Sequence, residues 1–494
     1  MNKENKDKVK SNVCLIKDCS RPTHKESKYC IFHASEKEKT EEEFKNALKE
    51  YVNMIKEEGK DYDFKSFIFV GNIDFRKDLG ITVFKNADLR EATFRKDVDF
   101  TWATFSGYAH FKKVTFEEDA DFLEATFREN ADFGEATFRK DVEFEKATFR
   151  GNANFREATF RGYTHFEKAT FRGYANFREA TFEEDANFKG ATFEENADFE
   201  KATFREDADF LVKYFAKDVN FAKAILFPGK KLNLIVEKEG TISFERTYLE
   251  NVYLELYLSV ENLIDFTDAL LKNTQIKKDQ IENHILQEKK KEFSQAHKIY
   301  LRLKNNFHSI GQYNDESWAF KKEKYMERLS YSFFPYRKDL EEKEKKERFP
   351  ILKWMCTKDF KKWIISAFSN LIYGYGEEPR NVVTIGLVII FIFALLFSFI
   401  GIGSPEFIEL KGPIIQEVPG NDIEIIFKGF LQNRIIKHFF KSLYFSLITF
   451  TTLGYGDLRP LEGCGRMFAG IEAFIGAIMM ALFVYTFARR TGGR

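Results

Sequence analysis

The sequence predicts a mixed multidomain protein, in which a long array of short β-strands is joined to an α-helical hairpin and to an all-α part with two membrane-spanning helices. Three observations support this prediction. Ala-x-Phe units recur across residues 61–258, a helical periodicity replaces them from residue 259, and long apolar runs occupy residues 382–402 and 467–488. A chain of 494 residues has room for roughly two to four domains, so we interpret each segment separately.

Composition narrows the classes of function. The 77 basic and 77 acidic residues cancel, so no overall charge attracts nucleic acid or acidic partners. Five cysteines, an odd number, do not form a disulfide framework in so long a chain. The first ten residues lack the apolar segment of a signal peptide, so we expect residues 1–12 to be a charged tail on the cytoplasmic side.

Many of the 57 phenylalanines follow one repeat with alternating steps of six and five residues, as in Phe94, Phe100, Phe105 and Phe111. On a helix, at about 100° per residue, these side chains and the alanines two positions before them would scatter around the whole circumference. In an extended chain, the Ala and Phe of each unit point to the same side and the residue between them points outward. The repeat therefore predicts short strands separated by corners.

The Ala-x-Phe units resemble the pentapeptide-repeat family, whose members form a right-handed, four-sided β-helix with the central Phe or Leu stacked inside. Every second corner carries one extra residue, as at Arg95-Lys96-Asp97, so a coil has about 22 residues instead of 20. The resemblance covers residues 62–258 and implies a rod of about 40 Å at a strand spacing of about 4.8 Å. Basic and acidic residues are mixed on its outer positions, so we expect a spacer or docking surface rather than the DNA mimicry of some family members.

A candidate metal site precedes the repeat, within residues 13–34. Cys14, Cys19, Cys30 and His33 supply four soft or borderline ligands in a segment too poor in apolar residues to build its own core. The pattern predicts a closed, structural zinc site whose metal contributes to folding. Two alternatives stay open: His24 in place of His33 as the fourth ligand, and a set of free cytosolic thiols. Residues 35–60 show helical spacing of apolar residues and are predicted to cap the rod.

Beyond the rod, residues 259–336 predict two helices around Gly311. Their apolar positions resemble one tetratricopeptide-type hairpin. Such a hairpin cannot bury its apolar face alone, so we expect it to pack on the end of the rod or on a neighbouring subunit. Residues 337–380 begin with a highly charged linker and continue into an amphipathic segment that is expected to lie in the membrane interface.

Two segments, 381–402 and 464–488, are long and apolar enough to cross a hydrocarbon core of about 30 Å. Lysine and arginine lie just before the first segment and just after the second, which by the positive-inside rule places both termini in the cytoplasm and the predicted loop 403–440 outside. We therefore expect a two-span protein of the cell membrane. No arginine-rich helix precedes the spans, so a voltage sensor is not expected.

Between the spans, residues 441–457 carry the most specific motif in the chain, Thr451-Thr452-Leu453-Gly454-Tyr455-Gly456-Asp457. It resembles the selectivity filter of potassium channels. The resemblance implies that the backbone carbonyls of residues 452–455 and the Thr452 hydroxyl coordinate K+ where four chains meet. Gly454 and Gly456 are expected to adopt left-handed φ values, and Tyr455 to brace the filter against a pore helix before it. Gly374-Tyr375-Gly376 lacks the threonine pair and the aspartate, and we interpret it as a turn.

The second span contains two further candidates. Gly476 lies 19 residues after Asp457, where related two-span channels keep a hinge glycine, although close helix packing explains a glycine equally well. Glu472 lies within a spanning helix and needs a partner there, in either a structural or a gating role. Ile448 stands where some two-span channels carry a glutamate that pairs with the filter aspartate, so the filter inactivation of those relatives is not expected.

These inferences combine into one hypothesis. The chain is expected to form a homotetrameric, K+-selective channel rather than an enzyme, with a cytoplasmic N-terminal β-helix that controls it. K+ is the permeant ion, zinc the structural cofactor, and the lipid bilayer a partner. The alternative is a membrane-tethered scaffold whose rod binds another protein. Neither the gating stimulus nor the regulatory partner follows from the sequence.

Overall fold

The computed structural model describes residues 13–17, 19–236, 240–333, 335, 350–403, 434–460 and 463–492. The chain divides into two compact units, one up to Ala319 and one from Phe320 onwards. The first unit contains the repeat and its two ends, and the second contains both long apolar helices. The predicted tail 1–12, residues 337–349 of the predicted segment 337–380 and most of the predicted loop 403–440 lie outside the described residues.

The repeat folds as a β-solenoid of four parallel sheets, which confirms the predicted four-sided β-helix. Each strand pairs in register with the equivalent strand of the next coil, as Thr115 does with Thr137. Most strands have only two residues, because the chain turns a corner as soon as one side chain has pointed inward.

The strands of the first sheet are Tyr62–Asp63, Ala87–Asp88, Ala109–His110, Ala131–Asp132, Ala153–Asn154, Ala175–Asn176, Ala197–Asp198, Val219–Asn220, Thr241–Ser243 and Leu263–Asp265. Those of the second are Ile68–Phe69, Thr93–Phe94, Thr115–Phe116, Thr137–Phe138, Thr159–Phe160, Thr181–Phe182, Thr203–Phe204, Ile225–Leu226, Tyr248–Glu250 and Leu270–Lys272.

The strands of the third sheet are Ile73–Asp74, Val98–Asp99, Ala120–Asp121, Val142–Glu143, Thr164–His165, Ala186–Asn187, Ala208–Phe210, Lys231–Val236 and Tyr253–Leu258. Those of the fourth are Val83–Phe84, Thr104–Phe105, Thr126–Phe127, Thr148–Phe149, Thr170–Phe171, Thr192–Phe193 and Tyr214–Phe215.

Stacked phenylalanines fill the interior. The rings of Phe127 and Phe149, one coil apart, are parallel with centroids 4.7 Å apart. Neighbouring columns meet edge to face, as Phe149 does with Phe155 at 5.9 Å. All three side chains are at most 1% exposed, and burying such a ring stabilises the fold by about 1.5–3 kcal/mol.

Aspartate and asparagine side chains form the tight corners. Asp121 Oδ1 accepts a hydrogen bond from the backbone N–H of Leu123 at 2.7 Å, and Glu124 then takes a left-handed φ of 54°. Asp and Asn suit this position because their short side chains bond the backbone two residues on. At the longer corners, the Asp141 N–H donates to Asp119 Oδ1, and the Tyr163 N–H to Asp141 Oδ1, each 22 residues apart. The sequence thus places the extra residue correctly.

Helix α1, Glu41–Glu58, lies at the N-terminal end of the solenoid. Thr40 and Glu43 form a capping box that fixes where the helix begins. Phe44 is fully buried and meets Phe69 of the first coil edge to face at 5.5 Å. The amphipathic helix predicted within residues 35–60 therefore covers the first coil with its apolar face.

At the other end, the solenoid continues to Lys272 and does not end at residue 258 as predicted. In the last coils, Leu and Ile take several of the inward positions, which hides the repeat, although Phe244 and Phe266 still stack inside. A 3-10 turn, Lys278–Gln280, and helices α2, Leu286–Lys289, and α3, Phe293–Ser309, follow. Asn306 of α3 exchanges two hydrogen bonds of 2.8 Å with the backbone of Thr274, so α3 packs on the last coil.

Helix α4, Tyr313–Ser330, completes the predicted hairpin around Gly311. The second unit then contains α5, Pro350–Met355; α6, Lys358–Tyr373; a 3-10 turn, Gly374–Gly376; α7, Pro379–Ile400; α8, Arg434–Phe450; and α9, Cys464–Gly492. Strand Ile402–Gly403 pairs antiparallel with Arg459–Pro460. Helix α8 begins at Arg434 and not at Lys441 as predicted, because the helical spacing of its apolar residues extends into the segment assigned to the loop.

Helices α7 and α9 are long and apolar enough to cross a membrane by length and composition. They correspond to the predicted spans 381–402 and 464–488, with α9 continuing four residues further.

Candidate functional site

The filter motif directly follows the C-terminal end of α8. The last residue of this helix, Phe450, packs with Val382 and Ile390 of α7 and with Met479 of α9. This packing fixes where α8 ends and directs the partly negative end of the helix at Thr451. A cation near the start of the motif is therefore favoured electrostatically.

The backbone of the motif adopts left-handed φ values at every second residue. Gly454 has a φ of 51° and Gly456 one of 79°, as the sequence predicts. Thr452 has a φ of 57°, which the sequence does not predict and which is a genuine outlier for a β-branched residue. Its N–H donates to the carbonyl of Thr449 at 3.1 Å, so the end of α8 holds it in place. Strained residues of this kind persist at functional sites where their surroundings hold them.

Two large side chains of the motif are exposed to solvent in the single chain. Leu453 is 60% exposed and Tyr455 is 70% exposed, so the predicted bracing of Tyr455 on the pore helix is not made within one chain. A neighbouring subunit would have to provide it. On the pore helix, Tyr444 lies near Asp457 at the end of the motif.

Glu472 of α9 is completely buried behind the pore helix. One of its carboxyl oxygens contacts the hydroxyl of Ser446 on α8, and that hydroxyl lies 2.8 Å from the carbonyl oxygen of Ile390 on α7. A hydroxyl carries one hydrogen, so both contacts are hydrogen bonds at once only when the carboxyl of Glu472 donates to Ser446. The three helices are thereby joined at one point. This contact is not predicted from the sequence, because Ser446 belongs to no motif.

Gly476 lies where α9 passes the end of α8. A side chain at this position would overlap the carbonyl oxygen of Phe450 and lie 3.0 Å from its Cα atom. Helix α9 runs unbroken through Gly476. The contact therefore favours the close-packing interpretation, and the hinge stays a prediction.

The proposed zinc ligands form a second site, on the first unit. The ligand atoms of Cys14, Cys19, Cys30 and His33 all lie within 4.8 Å of one another. His33 Nδ1 is 3.3 Å from Cys14 Sγ and 3.2 Å from Cys30 Sγ, and Cys19 Sγ is 3.9 Å from Cys30 Sγ. Ligand atoms of a tetrahedral zinc site lie about 3.5–3.8 Å apart, so the four residues fit the ion. His24 is not in this group; its Nε2 is 3.9 Å from a carboxylate oxygen of Glu43.

The surroundings of this cluster orient its ligands. His33 Nε2 donates to the carbonyl of Lys65 at 3.0 Å, which leaves Nδ1 facing the three sulfurs. Burial raises the pKa of the Cys30 thiol to about 12 and lowers the pKa of the His33 imidazole. A buried thiol without a cation therefore stays protonated, which suits a site whose sulfur loses its proton only to a metal.

The cluster also extends the aromatic interior of the solenoid. Phe32 stacks on Phe67 of the first coil with ring centroids 4.5 Å apart, and its carbonyl accepts the N–H of Ile68 at 2.8 Å. The guanidinium of Arg21 lies over the rings of Phe32, Tyr51 and Phe67 at 4.6–5.2 Å. The segment that carries the cysteines, residues 13–34, which we call the cysteine loop, is therefore ordered by the same packing that caps the rod.

In the second unit, two long apolar helices flank a shorter helix and a glycine-containing loop. Residues 412–492 match the ion channel family, and residues 82–126, 122–170 and 166–211 match pentapeptide repeats. No curated protein and no solved structure matches the chain. The chain therefore combines an ion-channel domain, which lies in the membrane, with a pentapeptide-repeat β-solenoid.

Proposed function

We propose that the chain forms a K+-selective channel as a homotetramer, with its N-terminal solenoid in the cytoplasm as the controlling domain. The observation that carries this proposal is the conformation of the filter motif: Gly454 and Gly456 are left-handed and closely follow the partly negative end of α8. A dehydrated cation needs rings of oxygen ligands, and one loop per chain supplies such rings only when four chains meet.

In this mechanism the carbonyl oxygens of residues 452–455 and the hydroxyl of Thr452 replace the hydration shell of K+ in successive rings. Within one chain the Thr452 hydroxyl donates to the Thr451 carbonyl at 2.7 Å, so its oxygen lone pairs stay free for a cation. The partly negative C-terminal end of α8 lowers the free energy of a cation located between the filter and the cytoplasm.

The proposed orientation follows from the basic residues. Lys361 and Lys362 precede α7, and Arg489 and Arg490 lie in the last turn of α9. By the positive-inside rule, these residues support a cytoplasmic position for both ends of the pair of helices. The solenoid, N-terminal to α7, then lies on the same side. We further assign a structural zinc ion to Cys14, Cys19, Cys30 and His33, where it would tie the cysteine loop to the first coil without taking part in transport.

The test is ion flux through the purified protein in liposomes. Wild type should carry K+ in strong preference to Na+, and Gly454→Ala should degrade that preference, because a β-carbon disfavours a φ of 51°. Gly470→Ala, in α9, is the matched control, since a β-carbon there has no neighbour within 4 Å among the described residues of the chain. Absence of K+ current, or an unchanged selectivity in Gly454→Ala, would favour the tethered scaffold instead.

Control by the solenoid is tested by deleting residues 1–312, which leaves α4 and the whole second unit. Selectivity should persist, because the filter is retained. Open probability should change, because any free-energy difference that the first unit imposes on closed and open states is lost. Identical gating of the truncated and full-length proteins would contradict the controlling role.

A further inference from the structure

The turn between α6 and α7 has an unusual backbone. Gly374, Tyr375 and Gly376 have φ values of 54°, 57° and 96°, so three consecutive residues are left-handed, including a tyrosine. Tyr375 is only 8% exposed, and its hydroxyl lies 2.9 Å from that of Ser366 on α6. A bulky residue keeps this conformation only where its neighbours hold it.

The neighbour that holds this turn is Arg489, in the last turn of α9. Its Nη1 donates to the carbonyl of Tyr375 at 3.2 Å, and its Nε lies 3.1 Å from a carboxylate oxygen of Glu377. The side chain of Glu377 is only 12% exposed. A β-carbon on Gly376 would lie 3.1 Å from Arg489 Nη1 and 3.2 Å from the ring of Tyr485, so glycine allows this close approach.

Helix α4 closes the same group of contacts. The guanidinium of Arg489 lies 4.3 Å from the centre of the Phe320 ring. The next residue, Lys321, forms an ion pair of 2.8 Å with Glu378, and its ammonium lowers the pKa of that carboxyl. We call Arg489, Phe320, Tyr375 and Glu377 the arginine clasp.

The two arginines in the last turn of α9 differ in this respect. Both suit the negative end of a helix and the cytoplasmic membrane surface. Within the described part of the chain, Arg490 is exposed and has no ion-pair partner, whereas Arg489 uses two edges of its guanidinium and one face. Arg489 therefore does more than anchor the helix end.

We propose that Arg489 is the residue through which the pore-lining helix is gated, an inference that rests on the proposed channel function. The clasp ties the cytoplasmic end of α9 to the α6–α7 turn and to α4, and it holds α9 in the conformation of this structure. Because α4 is one continuous helix from Tyr313 to Ser330, a movement of its first turns is transmitted to Phe320. Loss of the clasp frees the end of α9, and the equilibrium between closed and open pores shifts.

The test is single-channel recording of the full-length tetramer in bilayers. Arg489→Gln and Glu377→Gln should shift open probability in the same direction by about five-fold or more, the size of a typical coupling between sites. The exchange of charges, Arg489→Glu with Glu377→Arg, restores the ion pair but not the bond to the Tyr375 carbonyl, so it should shift open probability by less than the two single shifts combined. Arg490→Gln, the matched control, should gate as wild type does.

Arg489→Lys covers the case in which Arg489→Gln does not assemble. Lysine keeps the positive charge but cannot reach the Tyr375 carbonyl and Glu377 with two separate N–H groups of one guanidinium. It should therefore shift open probability in the same direction. Variants that gate as wild type, or an exchange variant displaced by the sum of both single shifts, would overturn the clasp while leaving the channel function intact. A wild type without any current would instead overturn the channel function, and the gating role with it.

Discussion

The rings of Phe149 and Phe171, one coil apart in the solenoid, lie 2° from parallel with centroids 4.9 Å apart. Each phenylalanine points inward from an Ala-Thr-Phe unit in the fourth sheet. Their rings stack only when neighbouring coils pair in this register.

Phe149→Asp should therefore unfold the solenoid or lower its stability by more than about 4 kcal/mol, since it removes a buried ring and buries a carboxyl without a partner. Arg150→Asp, one residue further and exposed, should change it by less than about 1 kcal/mol. Thermal unfolding followed by circular dichroism measures both. Equal melting temperatures would show that the register is wrong.

Asp121→Asn should stabilise the solenoid at pH 7. Asp121 pairs in register with Asp99 on one side and Glu143 on the other, and burial, with a further contribution from Asp99, raises its pKa. An asparagine keeps the corner hydrogen bond and can also donate to Asp99, as Asn154 does to Asp132 at 2.7 Å. The gain should be about 0.2–1 kcal/mol, as for other like-charge pairs across strands.

The pH dependence of this gain has a defined sign. A raised pKa in the folded state means that the folded protein binds the proton more readily, so wild type gains stability from Asp121 as the pH falls through that pKa. The advantage of Asp121→Asn should shrink between pH 7 and pH 4. Asp132→Asn, whose registered neighbours are His110 and Asn154, is the control and should bring no such gain. A difference that grows on acidification would contradict the assignment.

Replacing Cys14 and Cys19 by serine should remove one zinc ion per chain. Without the metal, the cysteine loop loses the ligation that holds Phe32 on Phe67, so proteases should cut within residues 13–34. Elemental analysis of protein purified without chelators measures the zinc. Cys356→Ser, an exposed cysteine outside the cluster, should leave the zinc content unchanged. A metal-free wild type would refute the site.

Glu472→Gln should be tolerated, whereas Glu472→Ala should not. A glutamine amide can donate to Ser446 Oγ and so preserve the bond from Ser446 to the Ile390 carbonyl. Alanine leaves a buried hydroxyl with one partner fewer and a cavity, at a cost of about 1–3 kcal/mol per chain. Thermal unfolding of the purified protein and K+ flux should separate the two variants. If glutamine is as damaging as alanine, an ionised carboxylate is required instead.

The sequence predicts those features that a local pattern encodes. The Ala-Thr-Phe units give the register of Phe149, and the filter motif gives the left-handed Gly454 and Gly456, because each depends on residues a few positions apart. The last coils were not predicted, because the strands Leu263–Asp265 and Leu270–Lys272 keep the geometry of the repeat but not its Ala-Thr-Phe sequence.

Contacts between distant segments could not be predicted in the same way. Ser446 meets Glu472, and Arg489 meets Glu377, only after α7, α8 and α9 have packed. Thr452 has a left-handed φ because the end of α8 holds it, although its own side chain disfavours that conformation. The Gly374-Tyr375-Gly376 turn was predicted, but its contact with Arg489 was not.

Hydrogen bonds at the longer corners join equivalent residues of successive coils, so the coils are structurally equivalent. The N–H of Asn152 donates to Asn130, and that of Tyr174 to Asn152, with the same spacing of 22 residues. Deletion of residues 131–152 would therefore join two equivalent positions and shorten the solenoid by one coil, about 4.8 Å. The hydrogen bonds between the coils on either side would form as before, because each coil offers the same donors and acceptors. Such a protein can change its reach in whole steps by gene duplication or loss, without redesigning its interior or either of its ends.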